Sequence, residues 1–129
     1  MDTKTFEMII DERLEKCKSV LVNKAKEYAT EDRLHNFKVA AELQNCTPIT
    51  ALAGMMCKYT VSVYDLIRDY EQGLEISPEM WDEKIGDSIN YLLLLTALLK
   101  EQSTDILFDI SSRDLIEILK HQEKEGIDI

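Results

Sequence analysis

The sequence has little of the two residues that most often interrupt helices. Its 129 residues include only four glycines and two prolines, which leaves few positions for the tight turns of a many-stranded fold. The pattern also shows no alternation of short apolar runs with helical segments, and this argues against a parallel sheet. Both shortages favour long helices joined by short connections.

Metal-binding and nucleophile motifs are equally scarce. The three cysteines, Cys17, Cys46 and Cys57, form no CxxC pair, and only two histidines accompany them. This composition argues against a zinc site and predicts reduced thiols, as in a cytoplasmic protein. The sequence contains no glycine-rich phosphate loop, GxSxG elbow or HExxH motif, so nucleophilic catalysis has no candidate residue.

Positive charge and long apolar runs are in short supply as well. Fifteen Lys and Arg residues against 25 Asp and Glu residues give a formal net charge of −10, which repels nucleic acid and anionic membranes. The longest apolar run, residues 91–95, is too short to span a membrane. The first residues resemble no signal peptide. We therefore expect a cytoplasmic protein with no nucleic-acid or membrane partner.

Helical periodicity is what the sequence does contain. Apolar residues at helical spacing predict one domain over residues 1–129, with a core bundle at about 4–101 and a C-terminal helix at about 112–125. The fold class is all-α, an antiparallel bundle of four to five helices. The predicted helices of the core bundle cover about 4–29, 33–43, 48–71 and 78–101. Residues 105–110 fit a strand or a loop, of which we favour a loop or short turn.

Three start signals support these boundaries. Asp32 is the predicted N-cap of the second helix, and Thr47-Pro48 and Ser77-Pro78 open the third and fourth helices. Gly73 closes the third helix. The first two turns of the third helix are apolar nearly all round, which predicts a buried, central helix.

The fourth helix carries the clearest candidate site. Glu79, Glu83, Asp87 and Asn90 follow one another at steps of four, four and three, so they share one face. Like charges at this spacing destabilise a helix by about 0.2–0.5 kcal/mol per pair. A bound divalent cation explains such a row, and so does a solvated acidic helix start. We assign Glu79 to the helix start and keep both explanations open for Glu83 and Asp87.

Two other segments hold polar residues of interest. Lys58 lies in an apolar part of the third helix, where it either binds a phosphate, pairs with an acid such as Asp65, or extends past the core. Residues 24–37 place Lys24, Glu27 and Asn36 around the junction of the first two helices. Such a junction holds either binding residues or a capping network with surface charge.

The segment Glu83-Lys-Ile-Gly-Asp87-Ser-Ile-Asn90 resembles the second acidic helix of the MazG-like all-α nucleoside triphosphate pyrophosphohydrolases. Together with residues 24–37 and 55–65, it is similar to a phage-encoded family associated with nucleotide modification, and the resemblance covers about residues 20–101. In the superfamily an ExxD helix packs against an earlier ExxE helix, and the pair holds Mg²⁺. Here Lys84 stands at the glutamate position of ExxD, and the third helix has no ExxE.

The resemblance implies a MazG-like bundle that binds a nucleotide with Mg²⁺ or Mn²⁺ and hydrolyses a nucleoside triphosphate to monophosphate and pyrophosphate. Glu83 and Asp87 are the expected catalytic residues. The expected metal ligands are Glu27, Asp65, Glu83 and Asp87, and the expected substrate-binding residues are Lys24, Asn36, Lys58 and Asn90. Either Glu27 or Asp32 completes the metal set, or the chain binds a nucleotide without hydrolysing it.

The alternative function is that of a non-catalytic phage or prophage accessory protein. Its acidic surface would occupy a basic site on another protein, in the host cytoplasm if the chain is phage-encoded. With either function we expect a homodimer or higher homo-oligomer. The third helix and the run from Leu92 to Leu99 present more apolar surface than one thin bundle covers.

Overall fold

The computed structural model describes residues 1–27 and 32–125, without the side chains of 25, 26, 104–118 and 121–125. Over these residues the chain forms four helices: α1 (Thr3–Glu27), α2 (His35–Gln44), α3 (Pro48–Glu71) and α4 (Pro78–Glu125). The described residues contain no strand, which confirms the all-α prediction. The chain divides into two units, Met1–Leu95 and Thr96–Ile129. The predicted last two residues of the first helix, 28 and 29, lie outside the described part.

The starts of α3 and α4 follow from their capping residues. The Thr47 hydroxyl accepts a hydrogen bond from the Thr50 amide at 3.1 Å, and Pro48 is the first helical residue. The Ser77 hydroxyl accepts one from the Met80 amide at 3.1 Å. Each hydroxyl satisfies an amide that has no partner within its own helix. Both predicted start signals are confirmed.

The end of α3 is also as predicted. After the C-cap residue Gln72, Gly73 adopts a φ of 88°, a left-handed conformation that costs glycine little. The Leu74 amide then donates to the Asp69 carbonyl at 3.0 Å, which closes the last turn of the helix.

The predicted cap of α2 is wrong. Leu34 occupies the N-cap position and makes no side-chain cap. Asp32 instead accepts a hydrogen bond from the Leu34 amide at 3.0 Å and pairs with Lys38 at 2.7 Å. These bonds hold the pKa of Asp32 below its usual value, the Lys38 hydrogen bond being the main cause. Asp32 therefore stabilises the turn that leads into α2.

The predicted loop at 105–110 is wrong as well. α4 runs without interruption for 48 residues, so the predicted fourth and fifth helices are one element. Between Gly86 and Gly126 the sequence has neither glycine nor proline, and serine, threonine and aspartate alone break a helix only weakly. The helix passes through that segment for this reason.

The core of the first unit lies where α2 meets the first turns of α3. Its buried side chains are those of Leu34, Phe37, Ala41, Ala51 and Leu52. Tyr91 of α4 stacks on Tyr59 with ring centroids 4.7 Å apart and meets Phe37 edge-on at 6.1 Å. Aromatic pairs of this geometry add about 0.5–1.5 kcal/mol to the effect of burial. This packing anchors the N-terminal third of α4 against α2 and α3.

Beyond its first turns α3 is not the buried central helix that its composition predicts. Val61, Tyr64 and Ile67 remain 52%, 70% and 44% exposed. Phe6, Ile9, Leu14 and Cys17 form an apolar stripe along α1 at helical spacing. This stripe is also only partly covered, since Cys17 is buried whereas the other three residues are about half exposed. A search of the described residues finds no helix with the length and hydropathy to cross a membrane.

Candidate functional site

A cleft of about 700 Å³ opens between α1, α3 and α4 within the first unit. On α1 it is lined by Arg13, Lys16, Cys17, Val20 and Lys24, whose spacing of three, one, three and four places them on one helical face. The face extends over about 16 Å, since each helical residue adds about 1.5 Å. Its α4 wall runs from Asp82 to Asn90, and α3 contributes Lys58 and Tyr59.

The cleft differs in charge from the chain as a whole. Five basic side chains line it, against three acidic ones, a formal surplus of two positive charges. The chain itself carries a net charge of −10. The basic set consists of Arg13, Lys16, Lys24, Lys58 and Lys84, and the acidic set of Asp82, Glu83 and Asp87. A concave surface with this charge concentrates anions, although the rest of the protein repels them.

At one end of the cleft, which we name the Asp82 end, charges are paired. The Arg13 guanidinium donates to the Asp82 carboxylate at 2.5 Å and to the Asp82 carbonyl at 3.3 Å. The Lys16 ammonium reaches the other carboxylate oxygen at 3.1 Å. Hydrogen bonds from Arg13, and then from Lys16, hold the pKa of Asp82 below its usual value. Asp82 thus joins α4 to α1.

At the other end, which we name the Asp87 end, the carboxylate has no such partner. Burial raises the pKa of Asp87, and the neighbouring Glu83 carboxylate raises it further. Lys24, Lys84 and Lys58 act in the opposite direction through charge alone. No ion pair joins these three lysines to a carboxylate among the residues that the structure describes. The cleft therefore holds two neighbouring carboxylates and three lysines without ion pairs in the described part of the chain. A bound ligand can reduce the repulsion between the carboxylates and pair with the lysines.

Asn90 lies one turn beyond Asp87 on α4. Its side chain is 5% exposed, and its Oδ1 atom has no hydrogen-bond partner among the described residues. A buried acceptor without a partner costs free energy that a ligand can recover by donating a hydrogen bond. Nearby, burial raises the pKa of the Cys17 thiol, whose sulfur lies 4.0 Å from the Gly86 carbonyl oxygen. Cys17 is therefore a structural, protonated thiol.

A smaller pocket adjoins the cleft. It has a volume of about 110 Å³ and shares Val20, Lys24, Tyr59, Asp87 and Asn90 with the cleft. Its remaining wall comes mainly from α2 and α4 and includes Asn36, Phe37 and Tyr91. We call it the aromatic pocket, because three aromatic side chains line it.

The structure brings together five of the residues singled out from the sequence. Lys24, Lys58, Glu83, Asp87 and Asn90 all line the cleft. Asn36 lines the aromatic pocket and is not among the residues that line the cleft. The Lys58 ammonium lies 5.6 Å from the centre of the Tyr59 ring, so it is held beside the cleft by an aromatic neighbour rather than by an acid.

Asp65 and Glu27, two of the four expected metal ligands, lie elsewhere. Asp65 is half exposed and pairs with Arg68 of its own helix at 3.3 Å. Glu27 is the exposed last residue of α1 and is not among the residues that line the cleft. Within the described part of the chain, no three His, Cys, Asp or Glu side chains are grouped as metal ligands. Glu83 and Asp87 remain as the two carboxylates that share the cleft.

Sequence reasoning found Lys24 and missed the rest of the α1 wall. Arg13 and Lys16 share a face with Lys24 and with Cys17, the residue of the α1 stripe that is fully buried. The sequence does place these basic residues beside the apolar stripe of α1. Residues at that position lie next to the neighbouring helix, so the pattern could have indicated that they face it.

Comparison with models of known protein families, with curated proteins and with solved structures finds no match for this chain.

Proposed function

We propose that the cleft binds the phosphate chain of a nucleotide together with a divalent cation, and that the chain hydrolyses a nucleoside triphosphate to monophosphate and pyrophosphate. The observation that carries this proposal is a surplus of positive charge in the cleft of an otherwise acidic chain. Within that cleft Glu83 and Asp87 supply two carboxylates that have no ion-pair partner in the described residues.

The residues present fit a cation that arrives with its ligand. Mg²⁺ is commonly held by one or two carboxylates, with substrate phosphates and waters completing its coordination. Glu83 and Asp87 meet that requirement, whereas a cation held by protein alone needs more donors than the cleft offers. When bound, such a cation polarises a phosphoryl oxygen and lowers the pKa of a bound water.

The other side chains of the cleft have simpler roles in this proposal. Lys24 and Lys58, on opposite walls, neutralise the phosphate oxygens and fix the phosphate chain between α1 and α3. Arg13 pairs with one carboxylate and Lys16 with two, so their charge is largely neutralised within the protein. The contacts of Lys24 and Lys58 orient the bond between the α- and β-phosphates for attack by water.

The direct test is the identity of the product. Purified protein is incubated with each nucleoside triphosphate and Mg²⁺ or Mn²⁺, and pyrophosphate and orthophosphate are measured separately. We expect pyrophosphate, and we expect Glu83→Gln to lose its release. Glu79→Gln serves as the matched control, because Glu79 is exposed in the first turn of the same helix.

Two outcomes contradict parts of the proposal. If no triphosphate yields pyrophosphate although inorganic tripolyphosphate raises the melting temperature with Mg²⁺, the chain binds without hydrolysing. If tripolyphosphate also has no effect, the cleft does not bind phosphate. The accessory-protein alternative, acting through the acidic surface outside the cleft, then takes precedence.

We also propose a homodimer that covers the apolar face of α1. Phe6, Ile9, Ile10 and Leu14 lie at helical spacing and are 54%, 46%, 39% and 49% exposed. A single face of this kind suits a two-fold interface, where the same surface is used twice. Sedimentation equilibrium of the wild-type chain and of Ile10→Glu tests this, and a wild-type monomer at micromolar concentration contradicts it.

A further inference from the structure

The aromatic pocket has a composition that the phosphate chain does not explain. Phe37, Tyr59 and Tyr91 line it, and the Tyr59 and Tyr91 rings are stacked with an interplanar angle of 28°. It adjoins the cleft through Lys24 and Asp87, which line both spaces. A ligand whose phosphates lie in the cleft therefore has beside it a space with aromatic and polar walls for the rest of the molecule.

The volume of the pocket restricts what that part is. An apolar cavity of about 150 Å³ accepts a benzene molecule. The aromatic pocket has about 110 Å³ and is continuous in its lining with the larger cleft. It is smaller than the benzene-binding cavity, so it has room for at most one six-membered ring, and the second ring of a purine would lie outside it.

The buried Asn90 restricts the chemistry of that ring. Its Oδ1 atom is buried and accepts no hydrogen bond from the described residues, and the side chain lines both the pocket and the cleft. A buried acceptor in this position favours a ligand that carries an N–H donor. Pyrimidine bases carry one on the ring or as an exocyclic amino group, next to an acceptor that matches the amide nitrogen of Asn90.

We infer that the aromatic pocket receives the base of a pyrimidine nucleotide and that Asn90 Oδ1 accepts a hydrogen bond from its N–H edge. This inference rests on the proposed function, because it takes the phosphates to lie in the cleft. It names the substrate class of that site. Asn90 reads the base, the aromatic side chains enclose it, and Lys24 lies where the base and phosphate spaces meet.

The first experiment compares ligands on the wild-type chain. Isothermal titration in Mg²⁺ uses non-hydrolysable analogues of UTP, CTP, ATP and GTP, with inorganic tripolyphosphate as the base-free reference. We expect a pyrimidine analogue to bind about tenfold tighter than tripolyphosphate, the gain of one buried hydrogen bond and one enclosed ring. The purine analogues are expected to bind no tighter than tripolyphosphate.

The second experiment asks whether Asn90 reads the base or only supports the fold. Leucine has the shape of asparagine without its polar atoms, so Asn90→Leu removes the unpartnered acceptor. We expect this variant to melt at or above the wild-type temperature, to bind tripolyphosphate as the wild type does, and to lose the preference for pyrimidines. Asn23→Leu is the control, because Asn23 is exposed on α1 and lines neither space.

A second variant keeps the test decisive if Asn90→Leu does not fold. Val20 is 42% exposed and lines both spaces, so Val20→Phe has room to be accommodated while its ring enters the pocket. We expect it to retain tripolyphosphate binding and to lose the extra affinity for pyrimidine analogues.

The possible failures are distinguishable. Equal or tighter binding of purines overturns the pyrimidine inference and leaves the phosphate cleft intact. An Asn90→Leu chain that melts well below the wild type and still prefers pyrimidines shows a structural role for Asn90, which also overturns it. Absence of tripolyphosphate binding in the wild type overturns the proposed function and the inference together.

Discussion

The two ends of the cleft contain aspartates five residues apart on α4 that have opposite electrostatic environments. Asp82 meets Arg13 and Lys16 from α1, and these hydrogen bonds lower its pKa. Burial and the neighbouring Glu83 raise the pKa of Asp87. Lysines lie near Asp87, but none of the described lysines forms an ion pair with it. A helix that presents both residues to one cleft therefore has one carboxylate that stabilises the fold and another that costs stability.

This difference shows how structure and function are divided within a single cleft. Titratable neighbours whose environments shift their pKa values apart commonly have separate roles. Asp82 fixes α1 against α4 and so sets the width of the cleft. Asp87, in the company of Glu83, is free to bind a ligand. If that division is correct, substitution of the two aspartates has opposite consequences.

The largest expected effect comes from exchanging the two aspartates for asparagine one at a time. Asp87→Asn removes a charged donor to the cation and its ligand, which is worth about 1.5–3 kcal/mol, or roughly ten- to hundredfold in affinity. We expect that loss in the Mg²⁺-dependent binding of a nucleoside triphosphate analogue, measured by titration calorimetry. Asp82→Asn is expected to lower the melting temperature of the free protein and to affect ligand affinity far less.

The comparison fails if the results are reversed. Ligand affinity that depends on Asp82 more than on Asp87 would place the ligand at the paired end. A melting temperature that falls in Asp87→Asn and not in Asp82→Asn would show that Asp87 has the structural role.

A smaller effect is expected from the lysine on α3. Lys58→Met keeps the length of the side chain and its packing beside Tyr59, but it removes a cation from the cleft. We expect tripolyphosphate affinity to fall about tenfold, as for one charged hydrogen bond. Lys4→Met is the matched control, since Lys4 lies on the exposed first turn of α1. Equal losses in the two variants would show that only the overall charge matters.

Much of the fold is predictable because its signals are local. Thr47-Pro48, Ser77-Pro78 and Gly73 act through the amides of the next turn or through their own backbone conformation. The structure reproduces all three. The predicted N-cap role of Asp32 is wrong because its carboxylate can accept from more than one nearby amide. It accepts from the Leu34 amide in the turn and not from an amide in the first turn of α2.

The candidate site is predictable only along one helix at a time. The row of Glu83, Asp87 and Asn90 is visible in the sequence because residues at these steps share a face. The pairing of Asp82 with Arg13 spans 69 positions, and no periodicity indicates which helices become neighbours. Asp65 shows that spacing within one helix can also mislead. Its spacing suggests an ion pair with Lys58, but Asp65 pairs with Arg68, three residues away.

The smallest expected effect is the pH dependence of the two variants, and it tests the comparison most directly. Asp82 has a lowered pKa, so its ionised carboxylate stabilises the folded state above the usual aspartate pKa of 3.8. That contribution is lost as the pH falls through its folded-state pKa. Asp87 has a raised pKa, so the free energy of unfolding decreases as the pH rises from 3.8 through its folded-state pKa.

Melting temperatures measured with a chelator from about pH 3 to pH 7 therefore separate the two aspartates. At neutral pH we expect Asp87→Asn to melt above the wild type and Asp82→Asn below it, and both differences should shrink toward pH 3. The sign for Asp87 follows because asparagine cannot ionise, which removes the cost of a buried charge beside Glu83. The opposite result, an Asp87→Asn chain that melts below the wild type at neutral pH, would contradict this. It would mean that attraction to Lys24, Lys58 and Lys84 exceeds the cost of burying the carboxylate, so that Asp87 stabilises the fold.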